Sequence, residues 1–191
     1  MSIPLKIVVI YGSTREGRFC DTVATWLTSE LRRNAPFTLD IIDPLDLGLP
    51  ERHEAEDDPS VLAYLNRIGA ADGFIVVTPE YNHSFPAALK FLVDTAHSEW
   101  RAKPVGFVSY GGISGGLRAV EQLRLVFAEL HAVGLRDSVS FAAAWEQFDE
   151  TGALRNPEPA RKALGTLVEQ MQWWGEALRS ARSAGPLAMA G

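Results

Sequence analysis

The chain has 191 residues, 47 % of them hydrophobic and 22 % charged, with a net charge of −6 and a pI near 5.2. That length suits one domain, the composition excludes disordered and collagen-like classes, and a mildly acidic chain without a Lys/Arg cluster argues against a nucleic-acid partner. The single cysteine, Cys20, rules out an internal disulfide and a cysteine zinc cluster and suits a reducing cytoplasm.

Taken in chain order, the first element is an apolar run from Leu5 to Tyr11. It is far shorter than the ~20 residues of a membrane span, and no small-residue cleavage site follows it, so it reads as a buried strand of a soluble protein. Phe19, Val23, Trp26, Leu27 and Leu31 then recur at helical spacing. A second strand runs from Phe37 to Ile42. The segment Pro44 to Asp58 flanks the same end of the sheet and names no substrate. Asp58-Pro59, a cap followed by a first-turn proline, opens a helix carrying Val61, Leu62, Leu65 and Ile68.

A third strand, Gly73 to Thr78, is followed by a helix from about Phe85 to Ala96. A fourth, Pro104 to Tyr110, leads into a helix with Leu117, Val120, Leu123, Phe127 and Leu130, which closes near Gly134. The fifth strand is Val139 to Ala144. The last helix enters at Asn156-Pro157 and carries Leu164, Leu167, Met171, Trp174 and Leu178. Residues 1–180 are expected to form one domain and 181–191 a flexible tail. Fivefold strand–helix alternation, with strands apolar on both faces, predicts a parallel sheet covered by helices on each side. Such sheets bind ligands at the carboxyl ends of their strands, which singles out the loops after strands one, three and four.

The first loop is Gly12-Ser13-Thr14-Arg15-Glu16-Gly17-Arg18. Glycines for close approach, hydroxyls, two arginines and a helix start make an anion site suited to a phosphate. Its spacing, G-x-x-x-x-G, misses the dinucleotide G-x-G-x-x-G, and Arg18-Phe19 stands where a nucleotide P-loop needs Lys-Ser/Thr. The second is Thr78-Pro79-Glu80-Tyr81-Asn82-His83-Ser84, which can present backbone N–H groups to the edge of a planar polar ring. The third is Ser109-Tyr110-Gly111-Gly112-Ile113-Ser114-Gly115-Gly116, whose four glycines let the backbone lie flat against a ligand. Together they suit a phosphate at one end and a flat, polar-edged ring at the other.

Other residues read as structural. His53, His83, His97 and His131 share no metal-ligand spacing, and only His83 adjoins these loops. Cys20, beside Phe19, reads as a small buried hydrophobe. Asp43 ends strand two as a turn residue, and Trp173-Trp174 read as core and subunit packing. No metal site is expected.

Gly-Ser-Thr-Arg after strand one, Pro-Glu-Tyr-Asn after strand three and Gly-Gly-x-Ser-Gly-Gly after strand four resemble the NADPH-dependent FMN reductase family, which includes quinone, chromate and azo-dye reductases. The stretch Asn82 to Asp94, with Pro86, Leu89 and Lys90, fits the same pattern, and the resemblance spans roughly Lys6 to Leu178. It implies a flavodoxin-like three-layer sandwich on a five-stranded parallel sheet, binding FMN and using NADPH or NADH as co-substrate. It further implies that Ser13, Arg15, Gly17, Arg18 and Phe19 hold the FMN phosphate. Pro79, Glu80, Tyr81 and Asn82 would contact the isoalloxazine, largely through backbone, and Ser109, Gly111 and Gly112 would line its pyrimidine side. Arg18 and Cys20 depart from the family, which commonly has small or polar residues there.

Members are usually dimers or tetramers and pass electrons to small-molecule acceptors, with no nucleic acid or membrane involved. Hydride transfer is the cofactor's own chemistry, so no side chain is expected to act as a catalytic acid or base, and alternating use of one open ring face predicts ping-pong kinetics. Two other readings are compatible with the loops: a flavodoxin-like electron carrier, and a nucleotide-binding regulator without flavin.

Overall fold

The computed structural model describes residues 3–50, 52–53, 58–185 and 187. Among these, six strands form one sheet: β1 (Leu5–Tyr11), β2 (Phe37–Ile42), β3 (Gly73–Pro79), β4 (Pro104–Gly111), β5 (Val133–Gly134) and β6 (Val139–Ala142). The helices are α1 (Cys20–Asn34), α2 (Pro59–Gly69), α3 (Ala87–Thr95), α4 (Leu117–Glu129), the one-turn α5 (Ala144–Gln147) and α6 (Glu158–Ala184). All pairings are parallel in the order β2-β1-β3-β4, with β5 and β6 both against β4. This is the flavodoxin-like order 2-1-3-4-5 with its last strand in two pieces.

The split edge differs from the single fifth strand that the apolar run predicts. β5 pairs with Pro104 and Val105 and β6 with Val108 to Gly111. Between them the guanidinium of Arg124, on α4, donates to the carbonyls of Leu135 and Arg136. A side chain thus satisfies backbone that would otherwise need a strand partner. β6 also stops at Ala142, because Ala143 turns into the left-handed region at φ 44°.

β1, β3 and β4 are buried on both faces, as their continuous apolarity requires. β2 is not: it is a half-exposed edge, and its Asp40 accepts ion pairs from Arg67 and Lys6. Alternate residues feed two cores. Leu5, Ile7, Val9, Ile75, Val77, Val108 and Tyr110 face α1 and α6, while Val8, Ile10, Phe74, Val76, Val105 and Phe107 face α2, α3 and α4.

α6 sits close on the sheet because glycines leave it room. A Cβ on Gly106 of β4 would come within 2.9 Å of the Leu167 side chain, and one on Gly73 within 2.8 Å of Met171 Sδ. Trp173 and Trp174 lie outside this contact. Trp173 is 63 % exposed and the pair lies on the surface beside Val133 to Arg136, so the expectation of core packing is not met: the inward stripe of α6 is Leu164, Leu167, Met171 and Gly175. Of the tail expected over 181–191, residues 181–184 continue α6; residues 186 and 188–191 lie outside the described residues, as do 51 and 54–57 of the segment after β2. No helix among the described residues is long and apolar enough to cross a membrane.

The glycine contact yields a test. Gly106→Val improves strand propensity but drives a branched side chain into Leu167, an overpacking that should cost about 1–3 kcal/mol in urea denaturation. Adding Leu167→Ala should recover part of that loss, giving a non-additive double-mutant cycle.

Candidate functional site

Parallel register brings the three loops to one edge. Tyr11 stands opposite Val77, Pro79 opposite Tyr110, and Gly111 opposite Ala142, so β1, β3, β4 and β6 end at the same edge of the sheet, with β1 stopping short of its neighbours. Gly12 leaves β1 so near β3 that its N–H donates to the Val77 carbonyl at 2.8 Å, while a Cβ there would lie 2.7 Å from the same oxygen. Only glycine permits that approach.

The loop beyond Gly12 gathers a hydroxyl, a guanidinium and the start of α1. Ser13 is fully buried, and its hydroxyl shares a 2.8 Å hydrogen bond with the Tyr81 phenol. The Arg15 amide donates to Ser13 Oγ at 3.4 Å, and its guanidinium lies 4.1 Å above the Tyr81 ring. Loops one and two are therefore already joined. α1 begins at Cys20 without a side-chain cap from Phe19, and its first turn carries Asp21. Gly17, at φ 61°, has open space where a Cβ would project.

Arg18 has a different position from Arg15. Its side chain is 7 % exposed and forms a two-pronged ion pair with Asp43, at the end of β2, while also donating to the Ser13 carbonyl and to Asp21. It braces the loop from within. Asp43 also accepts from the Leu45 amide, so it is the expected turn residue and a charge partner as well. Although burial alone would raise it, the Asp43 carboxyl is held below its ordinary value by the hydrogen bonds from Arg18 and the Leu45 amide. Phe19 packs on Tyr110 and Phe148 at centroid distances of 6.0 and 5.5 Å. Cys20 is buried, as expected, and burial pushes its thiol up.

Loop two closes in a tight turn. Tyr81 and Ser84 exchange backbone hydrogen bonds, and Asn82 and His83 between them take positive φ values of 51° and 68°, the signature of a type I′ turn. Pro79 has no N–H, and the amides of Glu80 and Tyr81 donate to the carbonyls of Tyr110 and Ser84. Of the four residues expected to meet a ring through backbone, Asn82 is the one whose amide has no partner among the described residues. His83 is exposed, and its carbonyl accepts from Gln122.

Glu80 turns toward α4 and clamps loop two to loop three. Its carboxylate accepts from Ser114 Oγ at 2.6 Å, from the Arg118 amide at 3.2 Å and from the Arg118 guanidinium at 2.9 Å. It thus caps the start of α4. Burial would raise its pKa, but these donors outweigh burial and hold it below the ordinary carboxylate value.

In loop three, Ser109 is buried and donates to the Gly115 carbonyl at 2.8 Å, joined there by Ser140 at 2.9 Å. Its hydroxyl is therefore occupied in shaping the loop. Gly115 and Gly116 sit at φ 61° and 84° against Ser140 and Tyr110, where a side chain would collide. Gly112, in contrast, has nothing nearer than 3.9 Å to the position of a Cβ.

Two residues escaped the sequence reading. The Tyr110 hydroxyl is buried without a hydrogen-bond partner, although the Cys20 thiol, a weak partner, lies beside it. Burial pushes this phenol well above its ordinary value. A tyrosine at the carboxyl end of a buried strand was the available signal. Trp145 stands beside Gly112, held there by a backbone turn that propensity does not reveal.

The clamp can be tested through pH. Glu80→Gln should lose about 1–2 kcal/mol of stability at pH 7, since it removes charge-assisted hydrogen bonds. Because the folded pKa is depressed, that stability is present above the unfolded carboxyl value and disappears as pH falls through the folded one. Urea melts of the two proteins should converge in the acid range.

Comparison with known proteins identifies the family. The family described as NADPH-dependent FMN reductase matches residues 5–146. An NAD(P)H-dependent FMN reductase of Schizosaccharomyces pombe is 39 % identical over 125 residues, 61 % of this chain and 62 % of that protein, so the match spans less than two thirds of that relative's length. A 2-hydroxy-1,4-benzoquinone reductase of a Burkholderia species is 33 % identical over 89 % of this chain and 96 % of its own. Among solved structures, the flavoenzyme NAD(P)H:(acceptor) oxidoreductase of Paracoccus denitrificans superposes with a TM-score of 0.69 at 22 % identity, over 91 % of this chain and 98 % of that one. With the family match covering most of the sheet and all three loops, the chain belongs to the NADPH-dependent FMN reductase family.

Proposed function

We infer that the chain is an FMN-dependent oxidoreductase that takes hydride from NADPH or NADH and passes it to a small acceptor such as a quinone, a free flavin, an azo dye or a metal oxyanion. The observation that carries this reading is the meeting of an anion loop, a tight turn and an open glycine loop at one sheet edge. The residues fit the cofactor. The uncapped start of α1, Arg15 and Ser13 suit its phosphate. Open space at Gly112 and the free Asn82 amide suit the ring and its edge.

Bound FMN would supply the hydride chemistry. The protein's own part is to bind, orient and polarise. Ser13 and Arg15 hold the phosphate end, Gly17 leaves room for it, and Phe19 closes the loop. Arg18 keeps the loop shaped through Asp43, so phosphate contact falls to its neighbours. Pro79 stiffens the exit of β3, Tyr81 stands between the phosphate loop and the ring, and Asn82 offers an amide where negative charge grows on reduction. Glu80 and Ser109 hold loops two and three, and Gly111 and Gly112 border the ring. Tyr110 keeps its proton at working pH, so its phenol can act only as a hydrogen-bonding group. No side chain serves as catalytic acid or base. The names of the Burkholderia and Schizosaccharomyces relatives support quinones and flavins as acceptors. The enzyme works in the cytoplasm as a homodimer or homotetramer, its FMN-binding domain spanning 1–180.

Anaerobic addition of NADPH or NADH to the FMN-loaded protein tests this. Bleaching of the flavin absorbance, with parallel double-reciprocal plots when an acceptor is varied, is the expected result. Tight FMN binding without bleaching by either nicotinamide would point to an electron carrier. Arg15→Ala should weaken FMN about tenfold, the effect of losing one charge-assisted hydrogen bond, without changing the far-UV circular dichroism.

A further inference from the structure

Loop three is followed in space by a short element pinned against Gly112. Ala143 adopts left-handed backbone, φ 44° and ψ 52°, a conformation that a Cβ disfavours. It is held there because its amide donates to the Gly112 carbonyl at 2.9 Å and its carbonyl accepts from the Glu146 amide at 2.9 Å. Gln147 adds a side-chain bond to the Ala142 carbonyl at 2.6 Å, and Ala144 is fully buried. The product of this strained, pinned turn is an exposed indole. Trp145 is 61 % exposed and lies 3.9 Å from the point where a Cβ of Gly112 would stand. Next to Gly112 in sequence, Ile113 is 92 % exposed.

A large aromatic held in water on a rigid support, beside the glycine that borders the ring position, is poorly explained by stability, since its burial contributes little. Backbone strain retained at such a place points to function. We propose that Trp145, with Ile113, forms an apolar wall at the acceptor mouth and makes the enzyme selective for flat, aromatic acceptors of the quinone class over small hydrophilic oxidants. This rests on the reductase reading above. The quinone gains a hydride from the reduced cofactor and a proton from water, leaving as the hydroquinone, and Trp145 contributes contact area and ring stacking without joining the chemistry.

The test compares menadione with ferricyanide in the FMN-loaded protein, using NADPH as donor. Trp145→Ala should lower the ratio of kcat/KM for menadione to that for ferricyanide roughly tenfold, mainly through KM, and Trp145→Phe should restore most of it. Equilibrium dialysis of menadione against the oxidised, FMN-loaded protein should show a matching rise in Kd for Trp145→Ala. Trp173→Ala, which removes an exposed tryptophan of α6, should leave the ratio as it is. An unchanged ratio, equal losses for both acceptors, or a phenylalanine variant no better than alanine would overturn the role of Trp145. If neither NADPH nor NADH bleaches the flavin of the wild-type protein, the reductase reading falls, and this one with it.

Discussion

The pairing of β1, β3 and β4 is the constraint on which the rest of the molecule depends. These strands send alternate side chains into two separate cores, so a slip of one residue would exchange Ile75 and Val77 with Phe74 and Val76 between layers of different shape. Register is fixed by that penalty, and register decides where the strands end. Tyr11, Pro79 and Gly111 finish at the same edge of the sheet, and the loops beyond them are brought together there. Gly12 shows how little slack remains: the chain turns away from β1 while in contact with the Val77 carbonyl.

Charge at this edge is arranged so that the loops are firm before any ligand arrives. Arg18 is neutralised by Asp43 and Asp21, and its role is internal. Glu80 ties loop two to Ser114 and Arg118, and Gln122 reaches the same loop through Ser84 and the His83 carbonyl. The positive charge left for an anion comes from Arg15 and from the start of α1. On the function proposed, bracing and binding would belong to different side chains, so the loops would need little reorganisation on taking up the cofactor.

Much of this was legible in the sequence because it rests on local rules. Apolar runs bounded by Gly, Pro and Asp marked the buried strands, and helical spacing marked α1, α2, α4 and α6. The glycines of loops one and three were readable because glycine is required where backbones meet. What escaped depends on long-range partners. The split of the last strand rests on Arg124 reaching from α4, and the exposure of β2 on its place at the sheet edge. The turn of Glu80 toward α4 needs Ser114 and Arg118 delivered by another strand. The ion pair of Arg18 was also hidden, since the sequence carries no sign that Asp43, 25 positions away, would meet it. Ala143 is the sharpest case: nothing in an alanine announces left-handed backbone, so neither the end of β6 nor the stance of Trp145 was foreseeable.

The central claim is that the Gly12 to Arg18 loop holds the phosphate of the same ligand whose ring lies against loops two and three. It is tested most directly by titrating the apoprotein with FMN and with riboflavin, which differ only in that phosphate. Two or more charge-assisted hydrogen bonds predict that FMN binds about 100-fold more tightly, with the gap narrowing as salt is raised. Equal affinities for the two flavins, or no binding of either, would contradict it.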